Sequence, residues 1–289
     1  MNAPCLIFGA GYLGLRVAAL WRDAGREVHV VSRSVERAAL LASEGFHSHV
    51  ADVTCPETLS DLPDAGTVLF AVGFDRTSGR SIGEVYAGGL ANVLAALGDR
   101  PRRFLYVSST GVYGPGDGGW IDEDTPCHPD REGGQACLAA EQTLAASALG
   151  PRSIILRLAG IYGPGRIPRS ADLLAGNPLA AQPDTHLNLI HVDDAARVML
   201  LAEQAAAPRT YVVSDGHPVL RRQYFAELAL LLGAPPPQFT PPSPASPPQR
   251  GANDRKASNA RLLGELHPQF AYPSYREGLA AIVAASARP

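Results

Sequence analysis

Lysine is almost absent from this 289-residue chain, in which Lys256 is the single lysine among 25 basic residues. Any mechanism that needs a lysine side chain elsewhere in the sequence is therefore excluded. Long apolar runs are also missing, since none approaches the roughly 20 residues that span a bilayer. The apolar stretch 4–20 is interrupted by glycines and lacks a basic leader, unlike a signal peptide. We expect a cytoplasmic protein with no membrane role.

Signs of a metal site or a nucleic-acid interface are equally scarce. The four cysteines form no C-x-x-C pair, and His47 and His49 have no third or fourth ligand close by in the sequence. The net charge is −3, without a block rich in lysine and arginine, which argues against nucleic acid as a partner. We therefore predict no metal and a small-molecule partner.

Strand and helix patterns alternate along the first 215 residues. Short apolar segments predict strands at 5–8, 27–31, 48–51, 67–72, 103–108, 153–158 and 210–214. Stretches with helical spacing lie between them, at 13–23, 34–43, 84–97, 134–149 and 194–204. This alternation predicts an α/β fold of the Rossmann type, a doubly wound parallel sheet with helices on both faces.

The pattern changes after residue 215. Helical spacing recurs at 223–232, 258–266 and 275–285, and the segment 235–249 is rich in proline and serine, as in a surface loop. We therefore predict a smaller, mostly helical C-terminal substrate region. The dinucleotide-binding domain is assigned to 1–165, completed by 187–215, and the smaller region to 166–186 and 216–289.

A glycine-rich turn lies between the first predicted strand and the first predicted helix. It reads Gly9-Ala10-Gly11-Tyr12-Leu13-Gly14. In the Gly-x-Gly-x-x-Gly pattern, the glycines allow a tight turn, close approach of the backbone to a pyrophosphate, and packing of helix on strand. The helix N-terminus favours the phosphate charge. Dinucleotide binding is predicted, with a purely structural glycine turn as the alternative.

The end of the second predicted strand bears on the choice of cofactor. An NAD site usually has an acidic residue there, whereas this chain has Ser32-Arg33-Ser34. Arginine pairs well with a 2′-phosphate, and two hydroxyls flank it, so NADP is favoured over NAD. A solvent-exposed arginine at a strand end is the alternative interpretation.

Two further segments, each directly after a predicted strand, are predicted to lie against the cofactor. Asp52 and Val53, after the third strand, are predicted to contact the adenine. After the fourth strand, Ala71-Val72-Gly73 would pass beneath the linking ribose.

Three later motifs resemble those of the extended short-chain dehydrogenase/reductase family, which includes nucleotide-sugar epimerases and dehydratases. They are FLYVSSTGVYG (104–114), LRLAGIYGPGR (156–166) and IHVDDA (190–195), in that order. The resemblance spans nearly the whole chain, and the ending at 272–279 suggests an atypical bacterial branch. It implies oxidation or reduction of a substrate carbon against a nicotinamide.

The resemblance also implies catalytic positions. A serine or threonine aligns the substrate hydroxyl, and this position falls on Ser109, with Thr110 as its neighbour. A Tyr-x-x-x-Lys pair moves the proton in the family, because the lysine charge lowers the tyrosine pKa. Here the two positions fall on Gly133 and Cys137, so both groups are absent.

Several side chains could replace the missing pair, and spacing selects none of them. The candidates are Tyr113, Tyr162, His128, Glu132 and Cys137. Tyr113 and Tyr162 follow strand C-termini, where ligands bind in open α/β sheets, or are packing aromatics. Tyr162 and Arg166 are candidates for substrate binding. Arg166 and Arg169 could bind an anionic substrate group, with surface arginines as the alternative.

The leading functional hypothesis is an NADP-linked oxidoreductase or an epimerase/dehydratase-like enzyme with a non-standard proton donor. A non-catalytic NADP(H)-binding sensor or interaction protein is the alternative, favoured by the missing tyrosine and lysine. A dehydrogenase of the 6-phosphogluconate type shares the glycine turn, but the motifs at Ser109 and Arg166 argue against it. A homodimer is compatible with all three hypotheses.

Overall fold

The computed structural model describes residues 3–204, 209–240 and 254–286. Its strands are β1 (Cys5–Phe8), β2 (Val28–Ser32), β3 (His47–Val50), β4 (Thr67–Phe70), β5 (Arg103–Ser109), β6 (Asp117–Ile121), β7 (Ser153–Leu158), β8 (Gly160–Tyr162), β9 (Leu179–Ala180), β10 (His186–Leu187), β11 (Leu189–His191), β12 (Arg209–Val213), β13 (Val219–Leu220), β14 (Phe239–Thr240) and β15 (Asp254–Ala257).

The α-helices are α1 (Gly14–Asp23), α2 (Val35–Ser43), α3 (Gly89–Leu97), α4 (Glu132–Ala145), α5 (Ser170–Leu174), α6 (Val192–Glu203), α7 (Arg221–Leu232), α8 (Ala260–Leu266) and α9 (Tyr275–Ser286). Among the described residues, no helix is both long and apolar enough to cross a membrane.

Seven strands form one parallel sheet in the order β12-β7-β5-β4-β1-β2-β3. The strand order reverses direction at β1, and the central strands β1 and β4 are fully buried. Continuous apolar strands of this kind are stable only where helices cover both faces of the sheet. The predicted Rossmann-type α/β fold is confirmed.

A side-chain cap marks the start of α2, and two other predicted helices have bounds that differ from the prediction. Ser34 precedes α2, and its hydroxyl accepts a hydrogen bond from the Arg37 amide at 3.1 Å, which caps the helix. The predicted helix 84–97 starts instead as a π-helix over Glu84–Gly88 before α3 begins. The predicted helix 134–149 ends early, at Ala145, and a short 3₁₀ turn over Gly150–Arg152 leads into β7.

The chain divides into two compact units. The first comprises 1–112, 132–157 and 196–211, and the second comprises 113–131, 158–195 and 212–289. The core of the first unit lies between sheet and helices and includes Phe8, Phe70, Leu90, Phe104 and Tyr106. The second has its own core, which includes Tyr162, Leu173, Tyr224, Phe225, Tyr275 and Leu279.

Short strand pairs in the second unit were not predicted from the sequence. They are β15-β6, β11-β8, β14-β9 and β10-β13. Most have two or three residues, and β6 contains Gly118 and Gly119, so no alternating apolar pattern marks them. The proline-rich segment 235–249 is described only as far as residue 240, and 241–249 lie outside the described residues. Strand β14 forms the end of the described part.

Candidate functional site

The glycine turn between β1 and α1 is tightly packed at two of its three glycines. Gly9 has φ +92°, and a Cβ there would lie 2.4 Å from the Ala71 carbonyl oxygen. A Cβ on Gly14 would lie 2.2 Å from the Gly9 carbonyl oxygen. By contrast, a Cβ on Gly11 would meet nothing within 4 Å. Two glycines are therefore required by the protein itself, whereas the third keeps open the space in front of the turn.

Electrostatics at the start of α1 favour an anion. Leu13 precedes the helix without a side-chain cap, and the first turn contains no acidic residue. The Arg16 guanidinium donates to the Tyr12 carbonyl oxygen at 2.7 Å and lies over the Tyr12 ring at 4.5 Å. A positive side chain thus adds to the positive end of the helix dipole beside the turn. Ala10 is partly exposed in the same turn.

Arg33 is placed at the end of β2, as the sequence predicts, but it has a partner that the sequence did not reveal. Its Nη2 lies 3.2 Å from Oδ2 of Asp75, and both side chains are about half exposed. The neighbouring hydroxyls have local roles: Ser34 contacts Glu36 at 2.6 Å, and Ser32 Oγ lies 3.3 Å from the Ser34 backbone. In the segment 32–34, Arg33 is the one side chain that can bind an anion by charge.

The segments after β3 and β4 lie in the same unit as the turn. Asp52 Oδ1 accepts from the amide and the hydroxyl of Thr54, each at 2.8 Å, so this carboxylate shapes the turn itself. Val53 is buried. Ala71 and Val72 are partly exposed, and a Cβ on Gly73 would meet nothing within 4 Å. A Cβ would therefore enter open space at Gly73, as it would at Gly11.

Ser109 ends β5 and is partly exposed. Its Oγ accepts a hydrogen bond from the Gly111 amide at 3.0 Å, which leaves the hydroxyl hydrogen as a donor. Thr110 begins a 3₁₀ turn that ends at Tyr113. This turn is the predicted catalytic segment.

A buried ion pair lies directly behind this segment. Glu141 on α4 binds Arg157 on β7 through two contacts, at 3.0 and 2.7 Å, and accepts from the Ser108 hydroxyl at 2.6 Å. All three residues are buried, with at most 7% of their surface exposed. The network joins β5, α4 and β7, and so fixes the strand that carries Ser109.

Cys137, which the resemblance predicts at the position of the family lysine, is a core residue. It is 6% exposed, and its side chain contacts Tyr106. Burial, together with the Glu141 charge, raises the thiol pKa to about 11, so the thiol stays protonated at neutral pH. This environment supports the packing role of Cys137. Around Gly133, a Cβ would meet only the Ile82 side chain, at 3.7 Å.

The tyrosine candidates in the second unit are both buried. Tyr113 is 4% exposed, and Tyr162 is fully buried, with its hydroxyl donating to the Ser274 carbonyl oxygen at 3.3 Å. A Cβ on Gly278 would lie 2.1 Å from that hydroxyl. Tyr162 thus occupies the position of a packing aromatic, which was the alternative interpretation.

Arg166 and Arg169 are exposed, and Arg169 forms an ion pair with Asp172 at 2.7 Å.

The structure also adds a third histidine to His47 and His49. Parallel pairing of β2 with β3 sets His29 beside His47, with ring centroids 5.0 Å apart, and His29 Nδ1 lies 2.8 Å from His49 Nε2. Even so, no group of three or more histidine, cysteine or acidic side chains within the described ranges has the arrangement of a metal site.

A seven-stranded Rossmann sheet that opens on this glycine turn defines a class of proteins that bind NAD or NADP. The chain belongs to the NAD dependent epimerase/dehydratase family, whose sequence profile matches residues 5–214. It is thus a short-chain dehydrogenase-like protein of the NAD(P)-dependent oxidoreductases and epimerases.

Individual relatives agree with this assignment. Protein YeeZ of Escherichia coli K12 is 28% identical over 279 residues, covering 92% of this chain and 95% of YeeZ. A structure from Methylobacillus flagellatus, described as a provisional NAD-dependent epimerase/dehydratase, is 33% identical, with full coverage of both chains and a TM-score of 0.80. Bordetella bronchiseptica WbmG, solved with NAD and UDP, shares the fold at 22% identity, 99% and 96% coverage and a TM-score of 0.80.

Proposed function

We propose that the protein is an NADP-linked oxidoreductase or an epimerase/dehydratase-like enzyme that acts on a small molecule. The cofactor lies against the turn from Gly9 to Gly14, and Arg33 pairs with its 2′-phosphate. Ser109 binds the reacting oxygen of the substrate. When bound, the nicotinamide accepts or donates the hydride.

The observation that carries the proposal is the difference between the three glycines. The fold itself explains why Gly9 and Gly14 lack a side chain, since a Cβ at either position would overlap the backbone. Within the described part of the chain, no atom lies within 4 Å of a Cβ at Gly11, so packing does not account for this glycine. A ligand that approaches the backbone closely, such as a pyrophosphate, does explain it.

This difference gives a direct test. Gly11→Ala should fold with unchanged thermal stability and bind NADPH at least tenfold more weakly, because the methyl group occupies the space of the pyrophosphate. Gly25→Ala is unsuitable as a control because Gly25 has a positive φ. Gly264→Ala, in α8 and without a steric conflict, is a suitable control. Equal NADPH affinity in Gly11→Ala and wild type would refute the placement of the cofactor.

The preference for NADP rests on Arg33. Titration of NADPH and NADH by nicotinamide fluorescence should show tighter binding of NADPH, and Arg33→Ala should abolish most of the difference. Arg100→Ala is a matched control, because Arg100 also forms an exposed ion pair, with Asp64 at 2.6 Å. If Arg33→Ala retained the full NADPH preference, the 2′-phosphate assignment would be wrong.

The chemistry can be tested through Ser109. Its hydroxyl is held by Gly111 in an orientation that leaves the hydrogen free to donate to a substrate oxygen. Hydride exchange between labelled NADPH and a panel of aldehydes and sugar nucleotides should be detectable and should fall by about 10²-fold in Ser109→Ala. Ser43→Ala, on the exposed end of α2, should have no effect. Exchange that survives Ser109→Ala would exclude an essential role for this serine.

One observation favours the alternative of a non-catalytic NADP(H)-binding protein. Cys137, in place of the family lysine, is a protonated thiol in the core and cannot supply the missing positive charge. Tight NADPH binding without exchange on any member of the panel would support this alternative, because it separates cofactor binding from turnover.

A further inference from the structure

Three histidines lie together on one face of the sheet, at its β3 edge. In the parallel pairing of β2 with β3, His29 lies opposite His47, and Val31 lies opposite His49. Side chains opposite each other, and side chains two residues apart, point to the same face of a sheet. His29 is buried, His49 is partly buried and His47 is exposed. The three rings therefore form one cluster that extends from the interior to the surface.

Two of these rings are joined by a direct contact between ring nitrogens. His29 Nδ1 lies 2.8 Å from His49 Nε2, and His29 Nε2 lies 2.9 Å from Oε1 of Glu27. At 2.8 Å one hydrogen fits between two nitrogens, so one ring donates it and the other accepts it. We call His29 and His49 the histidine pair.

The histidine pair can hold one positive charge but not two. A neutral imidazole has one N–H group, and an imidazolium has two. With both rings neutral, His49 donates to His29, which donates to Glu27. With His29 protonated, it donates to both Glu27 and His49, and the contact survives. When both rings are protonated, two N–H groups face each other across 2.8 Å, so the contact must open.

His49 is the ring that takes the second proton. Among the described residues, the Glu27 carboxylate contacts His29, and no carboxylate contacts His49. Burial, followed by the charges of His29 and His47, lowers the pKa of His49 from its ordinary value of 6.5. His47 stacks on His29 with ring centroids 5.0 Å apart, so it adds a third positive charge in acid. The histidine pair is therefore intact at neutral pH and opens in mildly acidic solution.

Within the described ranges, the other titratable side chains around these strands do not contact the three rings. On and directly after α1 and α2, which pack against β2 and β3, they are Arg16, Arg22, Asp23, Glu36, Arg37 and Glu44. On the segment after β3 they are Asp52, Cys55, Glu57, Asp61 and Asp64. Glu27 is thus the carboxylate that offsets a charge on the cluster, and it offsets it weakly because its side chain is about half exposed.

The histidine pair lies close to the two segments that the proposed function places at the adenosine end of the cofactor. His29 precedes Ser32 by three residues, and His49 precedes Asp52 by three residues. Strand β3 is at the edge of the sheet, where it pairs with β2 alone among the described strands. Between the pair and the two segments, the Ala51 amide donates to the Ser32 carbonyl oxygen at 3.0 Å. Separation of β3 from β2 at the pair would therefore change the distance between the segments.

We propose that the histidine pair is a pH-sensitive switch of the cofactor site. At neutral pH the shared hydrogen holds β3 against β2 and keeps the segments at the adenosine end in place. In mildly acidic solution His49 takes the second proton, the pair opens, and NADP⁺ binds more weakly. The inference rests on the proposed function, because it concerns the affinity of that cofactor site.

The test compares the wild type with His49→Gln, whose side-chain amide can donate to His29 but does not titrate. NADP⁺ binding is measured by calorimetry at pH 8 and pH 5.5, at constant ionic strength. The two proteins should bind equally at pH 8, and on acidification the wild type should lose about fivefold more affinity than the variant. Protonation of the 2′-phosphate contributes equally to both proteins, so their ratio removes it. His217→Gln, which changes an exposed histidine of the second unit, is the control and should follow the wild type.

Urea denaturation at the same two pH values measures the histidine pair without cofactor. A histidine whose pKa is lowered by folding takes up its proton more readily in the unfolded chain, so stability falls as pH falls below 6.5. The wild type should therefore lose more stability on acidification than His49→Gln. If His49→Gln does not fold, the histidine ring signals of the wild type in NMR decide instead, and ordinary titration of all eight histidines would contradict the switch.

The outcomes separate this proposal from the proposed function. Equal pH dependence of NADP⁺ affinity in the wild type and His49→Gln would overturn the switch and leave the proposed function standing, whatever the stability measurements show. Absence of NADP⁺ binding by the wild type at pH 8 would refute the proposed function and the regulation that depends on it.

Discussion

Arg33, which follows β2, lies with its guanidinium 3.2 Å from the carboxylate of Asp75, which follows β4. Hydrogen bonds from Thr77, followed by the contact with Arg33, hold the pKa of Asp75 below its ordinary value, so this carboxylate is ionised at neutral pH. If Arg33 pairs with a 2′-phosphate, as proposed, the ionised Asp75 carboxylate would compete with that phosphate for Arg33 and would also repel it.

We therefore predict that Asp75→Asn raises the affinity for NADPH and leaves the affinity for NADH nearly unchanged. Because exposed ion pairs are weak, the gain in NADPH affinity should not exceed about fivefold. Fluorescence titration of both cofactors measures it. Asp64→Asn, in the exposed pair with Arg100, is the control. Weaker NADPH binding in Asp75→Asn would mean that Asp75 instead holds Arg33 in its binding position.

The buried pair of Glu141 and Arg157 should be essential for stability. Removal of one partner leaves the other charge buried and unpaired, which costs about 3–5 kcal/mol. Glu141→Ala should lower the free energy of unfolding by about this amount in urea denaturation. The exposed pair of Arg100 with Asp64 provides the comparison, since Asp64→Ala should cost less than about 1 kcal/mol. Similar losses in both variants would contradict the proposed difference in burial.

Asp215 should make stability depend on pH. Burial raises its pKa from 3.8 to about 7, and among the described residues its Oδ2 has no hydrogen-bond partner. The folded protein therefore holds a proton that the unfolded chain releases, and stability falls as pH rises from 3.8 to about 7. The slope approaches about 1.4 kcal/mol per pH unit.

Asp215→Asn should remove this slope. The substitution keeps the oxygen that accepts from the His217 amide, at 2.9 Å, but cannot ionise. Urea denaturation at pH 5 and pH 8 should show a larger loss of stability for the wild type than for the variant. Asp61→Asn, on the surface, should follow the wild type. Parallel behaviour of wild type and Asp215→Asn would show that Asp215 has an ordinary pKa.

Cys137 should be inert toward thiol reagents in the native protein. Its raised pKa, about 11, and that of Cys5, about 12, leave little thiolate at pH 8, and both side chains are buried. Cys55 and Cys127 are partly exposed and should react first. Two thiols should therefore titrate rapidly with an aromatic disulfide reagent and two only after unfolding. Rapid labelling of a third thiol that is lost in Cys137→Ser would reopen a chemical role for this residue.

The sequence predicts the sheet well because most of its strands are mainly apolar, with β3, which contains two histidines, as the exception. The buried strands β1 and β4 are continuous apolar runs, and a turn residue such as Gly25, between α1 and β2, separates helix from strand. The position of Gly11 between strand and helix is also local information. These features depend on neighbours within a few residues and need no knowledge of the distant chain.

The contacts that modify the site are of another kind. Asp75 is 42 residues from Arg33, and Glu141 is 33 residues from Ser108, whose hydroxyl it accepts from. The short strand pairs of the second unit are also hard to predict. Strands such as β10 and β13 have only two residues each, which is too few to show a periodic pattern. The sequence could therefore indicate a cofactor and a site for Ser109, but not the charges that surround them.

The division of the chain has a consequence for its synthesis on the ribosome. Each compact unit is assembled from three separate segments, and the first is completed only by 196–211. A nascent chain that stops at residue 195 therefore contains neither unit in full, and expression of an N-terminal fragment would leave an open sheet edge at β7, where β12 normally pairs. The helix and strand that close this edge, α6 and β12, are translated after the other six strands of the sheet, so the growing sheet stays open at β7 until they are made.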